Sequence, residues 1–509
     1  MNRSKPLTIR LNPKDNVVVA LVDLDPGNAI TDEGVVCRDH ISGGHKVATE
    51  TIAPGTSIRK YDQIIGVASQ GIRPGEHVHT HNLEILDFGR DYVIGMEAQE
   101  TDRVPEQDQA FFDGIVRADG RVATRNYIGL LPSVSCSAPV IRYIADAFRG
   151  DSLKLFPNVD GVVALPHSTG CAMAPSGDGF ENLQRCISGF AQHPNFGAVL
   201  LVGLGCEVNQ IDLLVENMGL ETGPRLQILN IQEAGGTQGA VDRGIGLIKE
   251  MLHEVNRVER RSMSASNLIV GLECGGSDAY SGIAANPALG AAVDLLVRHG
   301  ATAVLSETTE IYGAEHLLTR RAVNQEVGKK LVALIRWWED YTARHGSTID
   351  NNPTPGNKAG GLTTILEKSL GAAAKGGTTN LMAVYRYAEP ITSKGLVFMD
   401  TPGYDPASVT GMVAGGANVI CFTTGRGTIF GCKPVPVIKV ASNTALYQRM
   451  KDDMDINCGV ILDREVSVDE MGERIFRFIL ETASGRKTKS ERHGIGDSEF
   501  VPWQIGAVL

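Results

Sequence analysis

The sequence predicts a multidomain protein, with a small β-rich N-terminal module followed by a larger α/β region built on mainly parallel sheets. Three observations carry that expectation. Residues 7–82 are short apolar or β-branched runs punctuated by Pro-Gly turns at Pro26, Pro54 and Pro74. Beyond residue 110, apolar strand candidates alternate with helical windows, as α/β units require. Those strands also end in small polar, thiol or charged clusters, where the ligand loops of an open parallel sheet lie.

Taken in order, NVVVALVDLDPG, HKVATETIAPG, DQIIGVASQGIRPG and EHVHTH supply the strands of a first domain, residues 1–82. Residues 83–110 are more charged and less periodic, with MEAQETDRVPEQDQ as the most linker-like portion. A central α/β domain is expected over residues 111–350. There VDGVVALPHSTGC precedes the helical FENLQRCISGFAQHP, and GAVLLVGLGCE precedes IDLLVENMG. NLIVGLECGGSD and ATAVLSETTE are likewise each followed by a helical stretch. Pro and Gly in NNPTPGNKAGG interrupt the pattern and predict a boundary near residue 350. A C-terminal α/β domain, 351–509, then carries NLMAVYRY, GLVFMDTPG, NVICFTTGRGT and VPVIKVAS, and a final helix in MGERIFRFILETASG.

Composition narrows the function. The 509 residues are 42% hydrophobic and 21% charged, ordinary for a globular chain. A net charge of -11 argues against a general nucleic-acid binder, which draws on clustered Lys and Arg. No run of about 20 apolar residues predicts a membrane span, and no leader-like segment opens the chain, so a cytoplasmic location is expected. The nine cysteines are odd in number and dispersed, which favours reduced thiols over a disulfide framework. LVGLGCEVN lacks the spacing of a dinucleotide loop and TTGRGT lacks the Lys-Ser/Thr of a P-loop, so no nucleotide cofactor is expected.

The strongest metal-like pattern is GEHVHTHN. On an extended strand His77, His79 and His81 share one face, and neutral imidazoles bind divalent transition metals. Two of them, His79 and His81, joined by a distant ligand, make the more comfortable geometry. His45 is a further ligand or acid/base candidate, and Lys46 a candidate for a substrate carboxylate. The strand-end thiols Cys136, Cys171, Cys206 and Cys274 form a rival set, since thiolate suits softer metals and iron–sulfur iron, with inert packing as the plain alternative. His167 is an acid/base candidate. Glu273 and Asp278 bracket CGGS, and Glu307 and Glu310 bracket a Thr pair; of these carboxylates Asp278 and Glu307 are taken as catalytic. Ser277 and Asn286 suit sugar hydroxyls. Arg125, Asn126, Lys358, Thr424 and Arg426 are candidates for the anionic end of a substrate, Arg426 because a guanidinium in a Gly-bounded loop can grip a carboxylate with two bonds.

At these residues the chain resembles the altronate/galactarate dehydratase family along nearly its whole length. NVVVALVDLDPG, GGHKVATETIAPG and GEHVHTHN look like that family's SAF-type domain. DGRVATRNYIGLLPSV, HSTGC, GLGCE, LECGGSDAYSGIAANPALG, NPTPGNKAGG and TTGRGT look like its larger part, in the same order. The resemblance implies dehydration of a small anionic polyhydroxy acid to a 2-keto-3-deoxy acid. It also implies a divalent metal, ferrous iron first with manganese or magnesium as alternatives, and a homo-oligomer, a homodimer first. GEHVHTHN looks like the altronate branch, whereas SETTEIYGAEHLLTRRAVNQEVGKK has a flavour of the galactarate branch. D-altronate is therefore the first substrate expected, then D-galactarate, then another aldonate; a sugar-acid-binding protein without catalysis is the non-enzymatic alternative.

Overall fold

A computed structural model describes residues 6–85 and 92–506. The part of the expected linker over 86–91 lies outside the described residues, and the rest of it is pinned along the larger region. Gly95 N donates to Thr319 O at 3.0 Å and Val104 N to Arg298 O at 2.8 Å.

The N-terminal module is β throughout. Thr8–Ile9, Val17–Ala20, Lys46–Ala48 and His77–Val78 form one antiparallel sheet in that order, and Ser57–Lys60, Gln63–Ala68 and Leu83–Glu84 form a second. Val17–Ala20 is buried at every position, so the strand reads as an uninterrupted apolar run rather than an alternation. One Pro-Gly turn is dictated sterically: Gly75 has φ +84°, and a Cβ there would stand 1.9 Å from Val36 O. The strand expected through EHVHTH stops at Val78, because Asn82 folds back on it, accepting from His79 N at 2.9 Å and donating to His77 O at 2.8 Å.

Two parallel sheets follow. The first has four strands in the order Gly161–Ala164, Tyr127–Pro132, Phe196–Gly203, Leu226–Asn230. The segments entering and leaving it, Phe111–Val116 and Arg260–Ser264, pair antiparallel with each other and close the domain. The second sheet has seven parallel strands: Leu381–Tyr385, Gly395–Met399, Thr302–Leu305, Ile269–Cys274, Val419–Thr424, Val437–Ala441, Ile456–Asn457.

This second sheet corrects the division expected near residue 350. Ile269–Cys274 and Thr302–Leu305 pair with Val419–Thr424 and Gly395–Met399, not with the four-strand sheet. Residues on both sides of 350 thus share one core, and Pro and Gly there break helices without ending a domain. The path leaves the central Ile269–Cys274 strand in one direction and later returns to its other side at Val419–Thr424. That reversal opens a crevice at the strands' carboxyl ends. No helix among the described residues is long and apolar enough to cross a membrane.

Candidate active site

The loops at that reversal are bound to one another. Gly425 N and Arg426 N donate to Gly276 O at 3.1 and 2.8 Å, and Gly275 N to Thr423 O at 3.2 Å. Asp278 lies between them, fully enclosed; it accepts from Ser281 N at 2.8 Å, Ser281 Oγ and Ser442 Oγ at 2.9 Å, and Asn443 Nδ2 at 3.0 Å. Burial raises its pKa in spite of those donors. A Cβ on Gly425 would stand 2.1 Å from Asp278 Cγ, which explains the glycine. Asp278 therefore clamps the crevice floor.

The N-terminal module sits over this floor. Tyr280 Oη donates to Ala20 O at 2.9 Å, and His45 Nε2 meets Ala359 O at 3.3 Å. Lys46 Nζ reaches Gly361 O at 2.7 Å and Glu367 Oε2 at 2.9 Å, while Lys60 Nζ reaches Glu367 Oε1 at 2.8 Å. Lys46 and Glu367 are 0% exposed and Lys60 is 1% exposed. Lys46 is thus part of a buried clasp, not the group for a substrate carboxylate expected from sequence.

Three imidazoles converge where the module meets the loops. His45 Nδ1 lies 2.9 Å from His77 Nε2, the His45 and His79 rings are 4.7 Å apart, and one nitrogen of each of the three falls within 4.8 Å of the others. Burial, aided by neighbouring positive charge, lowers His77 to about 4 and His79 to about 3, and lowers His45 as well. All three are therefore neutral near pH 7, the state in which imidazole ligates metal. His79 Nδ1 is buried with no hydrogen-bond partner among the described residues, which suits a missing ligand to that atom. The set brings in His45 from another strand; because the chain turns after Val78, His81 is exposed at its margin, with its ring 5.3 Å from that of His77.

A second cluster is buried at the ends of Ile269–Cys274 and Thr302–Leu305. Glu273 and Glu307 are 0% exposed, Cys274 is 1% and Glu310 3%. Lys375 Nζ lies 2.9 Å from Cys274 Sγ and 3.4 Å from Glu307 Oε2, and Lys368 Nζ pairs with Glu310 Oε1. Burial and the neighbouring Glu310 push Glu307 up to about 7, and burial with Glu307 holds Glu273 well above the carboxylate range. Asp405 rises to about 6 through burial and Glu310. Burial pushes Glu310 upward too, but Lys368 outweighs it and brings it below its ordinary value. Glu307 is also a non-glycine residue at φ 67°, a strained conformation of the kind held at working sites. Its Oε1 is buried without a partner among the described residues. The carboxylates and Cys274 have metal-like spacing, yet the Lys375 ammonium already stands against Cys274 and Glu307. The cluster therefore fits proton handling better than the histidine set does, and fits a cation less well.

A small cavity lies between the Ser277–Asp278 loop and the helix that carries Glu367 and Lys368. Tyr61, Ser277, Asp278, Asn286, Glu367 and Lys368 line it, and it has room for about one water. Asn286 is fully engaged, donating to Gly371 O at 2.9 Å and accepting from Thr423 Oγ1 at 2.6 Å. Thr424 Oγ1 accepts from Gly427 N at 3.0 Å and shapes its loop. Arg426 is exposed on that loop and pairs with no carboxylate among the described residues, and Lys358 is half-buried beside Ala359.

Three candidates lie elsewhere. Arg125, 1% exposed, pairs with Glu491 and donates to Thr482 O at 2.9 Å. Asn126 donates to Asn158 O at 2.7 Å and Val255 O at 2.8 Å. Both tie elements together and present nothing to a ligand, because a polar group in mid-core must satisfy its bonds there. His167 lies at the end of the four-strand sheet, donating from Nε2 to Pro132 O at 2.9 Å and accepting Thr169 N at Nδ1 at 3.2 Å. Lys368, Lys375 and Asp405 had no motif to single them out; a buried lysine on a helix reads from sequence as a solvated one.

Comparison with known proteins agrees with this architecture. Residues 6–86 match the altronate/galactarate dehydratase SAF domain, and residues 114–256 match the D-galactarate dehydratase/altronate hydrolase second domain. Residues 265–508 match the D-galactarate/altronate dehydratase C-terminal domain. The break between 256 and 265 coincides with the change of sheet. The chain is 38% identical over 499 residues to the galactarate dehydratase (L-threo-forming) of Escherichia coli (strain K12), covering 96% of this chain and 95% of that protein. It is 34% identical to the altronate dehydratase of Bacillus subtilis (strain 168), covering 98% of this chain and 99% of the other. The altronate dehydratase of Escherichia coli (strain K12) is also 34% identical, with the same coverage of both chains. Matched along its whole length, the chain belongs to the altronate/galactarate dehydratase family.

Proposed function

We propose that this protein removes water from a sugar acid, converting D-altronate to 2-dehydro-3-deoxy-D-gluconate, with D-galactarate as the second substrate to test and related aldonates after it. The observation that carries the reading is the convergence of three neutral imidazoles where the N-terminal module meets the loops at the carboxyl ends of a parallel sheet, whose strand ends also carry a buried carboxylate pair. His45, His77 and His79 would hold a divalent ion, ferrous iron first and manganese or magnesium next, whose charge would stabilise the carboxylate and hydroxyl oxygens of a bound acid. Glu307, close to half-ionised at neutral pH, accepts the proton from C2, and its contact with Glu273 lets the pair carry one proton between them. The same pair returns a proton to the departing C3 hydroxyl, and the enol product becomes the ketone without an oxidant. Arg426 receives a carboxylate at the open end of the crevice. The module's clasp through Lys46, Lys60 and Glu367 keeps water from the cavity. The working form is a homodimer in this reading.

The test is an anaerobic assay of purified protein supplied with ferrous iron, manganese or magnesium against altronate, galactarate and related aldonates. Product is identified by mass as loss of water. Conversion of altronate supports the full reading. Turnover of galactarate alone overturns the substrate, and no turnover across the panel overturns the activity.

A further inference from the structure

The cysteines divide by burial. Cys37, Cys186, Cys274, Cys421, Cys432 and Cys458 are buried, whereas Cys136, Cys171 and Cys206 are exposed, and all nine are free. Thiols are ordinarily among the most buried side chains. Here the three exposed ones sit at one edge of the fold. They follow Tyr127–Pro132, Gly161–Ala164 and Phe196–Gly203, which are adjacent parallel strands, so their loops emerge at the same end of the four-strand sheet.

Those loops are held together. Ser135 N donates to Thr169 O at 2.8 Å, Asn209 N to Gly170 O at 3.1 Å, and Asn209 Nδ2 to Ser133 O at 3.0 Å. Cys136 and Cys171 each directly follow a bonded residue. Beside Cys206, buried Glu207 accepts from Ser133 Oγ and from Gly205 N, both at 2.6 Å. A Cβ on Gly170 would lie 2.4 Å from Ser133 O, so the close approach depends on that glycine.

The backbone around the thiols is unusual as well. Gly170 at φ +100° and Ala172 at φ +50° flank Cys171, which is not left-handed itself, and Gly205 at φ +122° precedes Cys206. These positive-φ positions turn the loops sharply where they carry Cys171 and Cys206. A single ion is a poorer match: the three thiols are not among the groups whose ligand atoms meet within 4.8 Å, as the histidines' do. A cubic cluster holds its thiolates farther apart, with iron and sulfide between them.

We propose that Cys136, Cys171 and Cys206 bind a [4Fe–4S] cluster through three thiolates, leaving one iron free of protein sulfur. Assembly from two ferrous ions, two ferric ions and four sulfides forms three iron–thiolate bonds and releases three thiol protons, and no atom changes oxidation state. His167 does not supply a fourth bond, since both ring nitrogens are taken by Pro132 O and Thr169 N. The site is separate from the histidine set and does not depend on it.

The experiment is anaerobic reconstitution of the full-length chain with equal amounts of ferrous and ferric iron and with sulfide, desalting, and assay of iron and acid-labile sulfide with electron paramagnetic resonance of the dithionite-reduced sample. The result expected is about four iron and about four sulfide per chain. Each of Cys136→Ser, Cys171→Ser and Cys206→Ser should lose most of the sulfide, while Cys37→Ser and a His77→Ala, His79→Ala double variant keep it. Folded wild-type protein that retains no sulfide, or iron without sulfide, overturns the proposal, as does a triple serine variant that keeps the wild-type amount. Should the triple variant not fold, alkylation of wild-type protein decides the matter. Loading must protect Cys136, Cys171 and Cys206 from iodoacetamide together, and continued labelling of all three after loading overturns the proposal.

Discussion

Glu367→Gln should loosen the N-terminal module from the rest of the molecule. Glu367 is the single carboxylate between two buried ammonium groups and also accepts Thr363 N at 2.9 Å and Thr363 Oγ1 at 2.6 Å. Removing one member of a buried ion pair costs about 3–5 kcal/mol. An independent ceiling comes from the lysines. Neutralising one of ordinary pKa, about 10.4, at pH 7 costs about 4.6 kcal/mol, so each would sooner lose its proton than stay charged above that figure. Burial has already lowered Lys46 to about 8, against the pull of Glu367, so Lys46 yields first. Lys60 behaves differently, since Glu367 outweighs its burial and raises it. In the variant both lysines would titrate below their unfolded values, so the unfolded chain binds more protons and stability rises with pH. The deficit is therefore full near pH 7 and shrinks toward about pH 10. Amide hydrogen exchange across Val17–Ala20, Lys46–Ala48 and Ile365–Ala373, with thermal unfolding at pH 7 and 9.5, reads the effect. Exchange and melting equal to wild type at pH 7, or a deficit that widens with pH, would refute the reasoning.

Three further outcomes are expected. His79→Ala should weaken manganese binding by more than about tenfold in calorimetry while His81→Ala leaves it unchanged; equal losses would mean that His81 belongs to the set. Glu307→Gln should lower kcat by about 10²–10⁴ with little change in KM, and should remove the limb near pH 7 from the rate profile. His167, 8% exposed, is lowered by burial to about 4. Below about pH 6.5 the unfolded chain takes up a proton that the folded one refuses. Stability is lost from there down to about pH 4 by up to about 3.4 kcal/mol, and a pH dependence no flatter in His167→Gln would count against this.

Much of the architecture was legible because it rests on local pattern. Apolar runs ending in glycine and small polar groups announced the strands and the loops at their carboxyl ends. What composition could not disclose was which strands share a sheet. Ile269–Cys274 and Phe196–Gly203 look alike along the chain, and only long-range pairing assigns them to different cores. Arg125 and Lys46 misled for a related reason: their chemistry suits an anion, but burial turned each toward an internal carboxylate. His45, a ligand or acid/base candidate from sequence, stands against His77 in the structure. Its convergence with His77 follows from the register Val47↔His77, which no reading of spacing within one strand contains.

Helix Ile365–Ala373 carries Glu367 and Lys368 as neighbours, one holding the module and the other paired with Glu310 in the carboxylate cluster. The module shares no strand with the sheets it covers. Its seating is thus an association event made intramolecular, and the chain between the two bodies acts by raising local concentration. Cut in that connection, the protein would become a two-component system whose assembly depends on dilution.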